Sequence, residues 1–168
     1  MAATVVVKQL VGASPGSATT ITNLRMNTDD TVNPGTTNPL VKPAAGTNYS
    51  FIKTVYLNAD TTPSGTINNC YIYSDGTIGW TGVTLFAGSN GTYHEAEGTV
   101  GTTAAISTVA TANVESWTSG AKKQLTGTLA NPSTGRITDF VVFQSRVSTS
   151  AVAGTLTAET MTFQYDET

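Results

Sequence analysis

Short stretches of this chain alternate apolar and polar side chains, which is the mark of strands. The clearest is Tyr49-Ser-Phe-Ile-Lys-Thr-Val-Tyr-Leu57. With a period of two, Tyr49, Phe51, Val55 and Leu57 share one face, while Ile52 and Tyr56 take the other. Apolar groups on both faces predict a central strand, or one covered by a neighbouring loop or subunit. Thr4–Val11 reads as a first strand, and Thr19–Met26 as a second. Ile67–Ser74 and Thr77–Trp80 flank Asp75-Gly76, and Val83–Ala87 and Thr92–Glu97 flank Ser89-Asn-Gly91. Asp-Gly and Asn-Gly between such runs predict two hairpins, because the tight turn needs positive φ. The last third predicts strands over Lys123–Leu129, Arg136–Val147 and Thr155–Asp166.

Two stretches break the pattern. Residues 27–48 hold Pro34, Pro39 and Pro43 together with Gly35 and Gly46 and predict a long loop or extended arm. Loops of that length are uncommon in compact domains and are often functional. Thr102–Gly120 has a weak helical spacing in Ile106, Val109, Ala110, Val114 and Trp117. Its Thr and Ser content and lack of a cap favour an irregular loop or strand, with one short helix at most. The predicted core is Phe51, Val55, Leu57, Ile72, Trp80, Val83, Leu85, Val141, Phe143, Met161, Phe163 and Tyr165. The fold class follows: all-β, one antiparallel β-sandwich over residues 1–168, jelly-roll-like or immunoglobulin-like, with the Pro-rich loop or arm at 27–48.

Composition strengthens this picture. Thr occurs 33 times in 168 residues. Its β-branched side chain suits a pleated, half-wet surface. Charged residues make up 11% of the chain, against about 25% in typical domains. A net charge of −3 argues against nucleic acid, which needs a basic stripe to neutralise phosphates. No apolar run reaches the roughly 20 residues of a membrane helix, and the N-terminal stretch lacks the basic and apolar regions of a signal peptide. One cysteine excludes an internal disulfide.

Candidate chemistry is thin. Gly12-Ala-Ser-Pro-Gly16 spells a nucleophile elbow, but Pro15 has no N–H to lend to an oxyanion hole, so a plain turn is expected. His94 would face away from Glu95 and Glu97 on a strand, which weakens a metal site. Carboxylate pairs for glycoside hydrolysis could be drawn from Asp29, Asp30, Asp60, Asp75, Glu95, Glu97 and Glu115, but spacing brings none together. Asn27-Thr-Asp-Asp30 could ligate Ca²⁺ as a flexible oxygen-rich loop. Cys70 reads as a buried apolar residue. Trp80, Tyr71, Tyr73 and Tyr93 could form an aromatic platform for sugars, or could be core and cross-strand pairs. The expectation is no catalytic activity, no cofactor and no metal.

Asn27-Thr-Asp-Asp-Thr-Val32, Asn38–Ser50, Leu57–Asn69 and the ending Ala158–Glu167 resemble small β-rich virion structural proteins of tailed bacteriophages and related viruses. These stretches amount to 42 of the 168 residues, a quarter of the chain. It implies a capsid decoration (head auxiliary, cement) protein, made in the host cytoplasm and carried on the capsid surface of the virion. The implied partners are the major capsid protein and the chain itself as a homo-oligomer, with a trimer favoured; neither nucleic acid nor membrane is expected. Candidate inter-subunit contacts are Asn27, Asp29, Asp30, Pro34, Pro39, Leu40 and Pro43. The other readings are a tail or tail-fibre component, or a carbohydrate-binding module using the aromatic patch.

Overall fold

The structure is a computed structural model that describes residues 2–13 and 16–168. The Ser14-Pro15 turn therefore lies outside the described residues. The strands are β1 (Val5–Val11), β2 (Ser17–Thr20), β3 (Thr47–Tyr49), β4 (Lys53–Ala59), β5 (Thr66–Tyr73) and β6 (Val83–Asn90), followed by β7 (Ala112–Asn113), β8 (Lys123–Gln124), β9 (Leu129–Ala130), β10 (Gly135–Arg136), β11 (Phe140–Ser148) and β12 (Thr162–Glu167). They form two antiparallel sheets. The larger runs β2-β1-β4-β11-β6-β7, with β10 on β4 and β3 on β11; the smaller runs β12-β5-β8, with β9 on β5. The helical turn among the described residues is a 3₁₀ turn at Val114–Ser116, capped by the Asn113 side chain.

The two sheets pack face to face, which makes the fold an all-β sandwich. Val55, Leu57, Leu85, Ala87, Val141 and Phe143 from the large sheet meet Ile67, Cys70 and Ile72 from the small one. Of the predicted core, Phe51, Val55, Leu57, Ile72, Leu85, Val141 and Phe143 are buried. Trp80, Met161, Phe163 and Tyr165 are only half-buried at its margins, and Val83 is half-buried away from it. Ile67 and Cys70 are both buried although three residues apart, which strict alternation forbids. An extra residue on β5 opposite Gln164–Asp166, with Asn69 at φ 47°, restores both to the core face.

Neither predicted hairpin forms. After Asp75, whose carboxylate accepts from Thr77 N at 2.9 Å, Gly76 takes φ 91°. The turn is therefore present, but Thr77–Trp80 is not a strand. Likewise Asn90 Oδ1 accepts from Thr92 N at 2.9 Å, yet 92–97 does not return beside β6. Both edges of β6 are already taken, by β11 and β7. A turn signal is local, whereas pairing depends on which edge is free. The second predicted strand is also displaced. It ends at Thr20, and residues 22–26 are irregular, with Leu24 and Met26 packed at the core margin.

All seven residues of β4 are buried. One face looks into the sandwich. The other is covered by the chain itself, along residues 92–111. Tyr93 joins Leu10, Tyr56 and Phe140 in a second apolar cluster, with the Tyr56 and Phe140 rings edge-to-face at 5.6 Å. Thr54 Oγ1 donates to the His94 carbonyl at 2.9 Å. Gly88 on β6 lies so close under this strap that a Cβ there would sit 1.9 Å from the Val109 carbonyl oxygen. Only glycine lets the strap settle on the sheet. The two-sided apolar pattern of Tyr49–Leu57 is thus explained within one chain and does not require a second subunit.

Candidate interaction surface

Residues 27–46 contain no strand or helix, and the root of this segment is docked. Asn27 O accepts from Phe51 N at 2.9 Å, and Thr28 N donates to Asn38 O at 2.9 Å. Asp29 Oδ2 accepts from Asn38 Nδ2 at 2.6 Å, and Asp30 Oδ2 accepts from Gly12 N at 2.6 Å. Both carboxylates are therefore occupied in closing the loop. The cation at this place is the chain's own: Lys53 Nζ donates to the Asp29 carbonyl. Burial raises the Asp30 pKa and brings Lys53 down to about 8. Among the candidate contact residues, Asn27 and Pro43 are buried within the chain, Asp29, Asp30, Pro34 and Leu40 are half-buried, and Pro39 is exposed. Asn27 and Pro43 are thus structural anchors in this chain.

The strap joins this segment in one layer. Gly101 N donates to Thr28 O at 2.9 Å, and Ala104 N to Tyr49 O at 3.0 Å. Buried Gln144 on β11 pins the strap from below: Oε1 accepts from Ser107 N at 2.7 Å, while Nε2 donates to Ala105 O and Ser50 O. From this layer three large apolar side chains reach solvent, Val41 at 57%, Val100 at 55% and Ile106 at 66% exposure. Residues 98–111 contain no charged side chain.

The aromatic platform proposed from sequence does not assemble. Tyr93 lies in the second cluster beside Phe140. Trp80 lines a shallow groove of about 210 Å³ with Val152, Gly154 and Leu156, its indole N–H donating to Thr157 O at 2.7 Å. Tyr71 and Tyr73 alone share a surface, the outer face of the small sheet. Tyr71 is in register with Gln124 and Gln164, and Tyr73 with Thr162. The Lys122 ammonium sits 5.1 Å from the Tyr73 ring centre and donates to Gln164 Oε1 at 2.7 Å.

The remaining candidates stay apart. His94 lies on the strap, outside any strand, with Nε2 buried and unpartnered, while Glu95 and Glu97 are exposed. No group of three His, Cys, Asp or Glu residues able to hold a metal occurs among the described residues. Cys70 is buried, and desolvation pushes its thiol up to about 11, which disfavours the nucleophilic thiolate. No described helix is long and apolar enough to cross a membrane. No protein-family model, curated protein or solved structure matches this chain.

Sequence reasoning missed Lys53, Gln144 and the exposed Val41, Val100 and Ile106. Lys53 did carry a signal, since it interrupts the buried parity of Phe51 and Val55. The exposed trio carried none, because isolated apolar residues in Thr-rich loops look alike whether covered or bare.

Proposed function

We propose that this protein is a non-enzymatic structural component of a virion, a β-sandwich that binds the major capsid protein on the outside of an icosahedral shell and tightens it. The observation that carries the reading is the layer formed by 27–48 and 98–111, from which Val41, Val100 and Ile106 project. The 98–111 part of this layer carries no charge and so associates without stripping water from ions. Virion location and partner come from the resemblance in residues 27–32, 38–50, 57–69 and 158–167. Each such side chain contributes roughly 1.5–3 kcal/mol when buried. Three together fall near the lower end of the roughly 4–15 kcal/mol that association costs in lost freedom. A single copy would therefore hold weakly, and a homo-oligomer, with a trimer favoured, would gain by multivalency. Binding only the assembled shell stabilises it by mass action.

The test is co-sedimentation with intact capsids. The wild type should pellet at fixed stoichiometry, and Val41→Asp combined with Val100→Asp and Ile106→Asp should abolish this while leaving the melting temperature nearly unchanged. Unchanged pelleting of the triple variant overturns the assignment of the surface.

One observation favours a second reading, a carbohydrate-binding module. Tyr71 and Tyr73 stand side by side on an open sheet face with Gln124 and Gln164 in register. Aromatic rings suit the C–H faces of sugars, and amides suit their hydroxyls. Retention on polysaccharide that disappears in Tyr71→Ala/Tyr73→Ala would favour this reading over the first.

A further inference from the structure

Lys53 and Asn27 are both 1% exposed, and both are poorly satisfied. The Lys53 ammonium has three protons, and its acceptor is the Asp29 carbonyl. It makes no ion pair with a carboxylate among the described residues, where the salt bridge present is Lys8–Asp60. Neither Nδ2 nor Oδ1 of Asn27 has a hydrogen-bond partner. Buried charges are normally paired and buried amides normally bonded, because leaving either bare forfeits its hydration. Two such groups in one seam call for a common explanation.

They do share a seam. Asn27 O accepts from Phe51 N, two residues before Lys53, and the Lys53 ammonium reaches Asp29, two residues after Asn27. The backbone at 27 thus meets the backbone at 51, and the Lys53 side chain ends at residue 29, which brings its ammonium into the neighbourhood of Asn27. Asp30 is the next residue, and its charge bears on Lys53.

We propose that the Lys53 side chain joins that of Asn27 in an intramolecular amide, tying the root of the 27–48 segment covalently to β4. The Lys53 ammonium closes on the Asp30 carboxylate, whose charge already acts on it, and passes it a proton. The free amine adds to Cγ of Asn27, and a C–N bond forms. The Cγ–Nδ2 bond then breaks; the departing nitrogen takes the second proton shed by the Lys53 nitrogen and the one held on Asp30, and leaves as ammonium, carrying the buried charge away. Nothing is oxidised or reduced, no co-reactant is needed, and the chain loses one NH₃. The product removes the buried charge and leaves a neutral amide with one N–H donor to satisfy in place of five. Burial, which lowers the Lys53 pKa and raises that of Asp30, puts both groups nearer the protonation states the transfer requires.

Mass spectrometry of the full-length folded protein, held at pH 8 and then denatured, decides the matter. The expected mass is about 17 Da below that of the sequence, the weight of one ammonia. Trypsin should no longer cut after Lys53, leaving one peptide from Met26 through Lys122 with residues 27 and 53 linked. Asn27→Ala and Lys53→Met should both show the unshifted sequence mass. Wild-type peptide mapping needs no variant to fold. A sequence mass without loss overturns the proposal. So does a 17 Da loss with Lys53 still cleaved, which marks a succinimide at an asparagine. A loss of about 18 Da, one water, places the bond on an aspartate and overturns the assignment to Asn27.

Discussion

β4 and β5 are the central strands of their sheets and nearly equal in length, yet they end in different surroundings. β4 is buried along its whole length, while β5 buries only Ile67, Cys70 and Ile72 of its eight residues. Both have a neighbour on each edge. The difference is the third layer: the strap of 92–111 lies across the large sheet, and no such segment crosses Tyr71 and Tyr73. Apolar residues on both faces of a strand therefore report that something covers it, and here the cover is the same chain.

The largest expected effect tests the inner face. Leu57→Ala should cost about 2–5 kcal/mol in denaturant unfolding, the range for deleting a fully buried leucine. A cost under about 1 kcal/mol would mean that the sheets do not pack at β4. Gln144→Ala tests the strap. It leaves Ser107 N, Ala105 O and Ser50 O without their side-chain partner. At about 1–3 kcal/mol for a buried group left bare, a total near 2–3 kcal/mol is expected, because part of the strap can rehydrate. Hydrogen exchange should rise first at Ser107. If exchange there is unchanged, the strap is held by something else.

Tyr73→Ala tests the open face and should cost about 1 kcal/mol or less, since it removes one half-exposed ring and its contact with the Lys122 ammonium. An effect as large as that of Leu57→Ala would show that the outer face of β5 is covered after all.

The smallest effect concerns the end of β12. Glu167 accepts from Ser64 N at 2.6 Å and from Ala3 N at 3.0 Å, and these donors hold its pKa below the usual carboxylate value. A lowered folded pKa contributes stability above the unfolded value and loses it as pH falls through the folded one. The Ala3 and Ser64 amides should therefore exchange faster, relative to neighbouring amides, as pH drops below about 4.5. Glu167→Gln should flatten that response, and an identical response in this variant would remove Glu167 as its cause.

The candidate surface shows how far local pattern reaches. The Pro and Gly content of 27–48 predicts a long loop or arm; residues 27–46 contain no strand or helix, and 47–48 belong to β3. Nothing in those residues told that Asn27 and Pro43 would be buried and Val41 bare; the root of the segment is held by distant partners, Phe51 N on Asn27 O and Gly101 N on Thr28 O. The aromatic residues teach the same. Tyr71 and Tyr73 stay together because two residues on one strand must share a face. Trp80 and Tyr93 lie beyond turns, and they left for other surfaces.

The sequence by itself determined the class of the molecule. Thr-rich alternation with regular turn residues yields strands, a buried Cys70, and a core drawn from Phe51, Val55, Leu57, Ile72, Leu85, Val141 and Phe143. Period-two patterning is written in nearest neighbours, so it can be read from them. Only the tertiary structure decided which strand edges meet, that Asp75-Gly76 and Asn90-Gly91 turn the chain without making hairpins, and that 92–111 crosses over β4. It also decided that Lys53 faces Asp29 in a seam beside Asn27. Those outcomes rest on competition among distant segments for the same edge or face, and a segment cannot record its competitors.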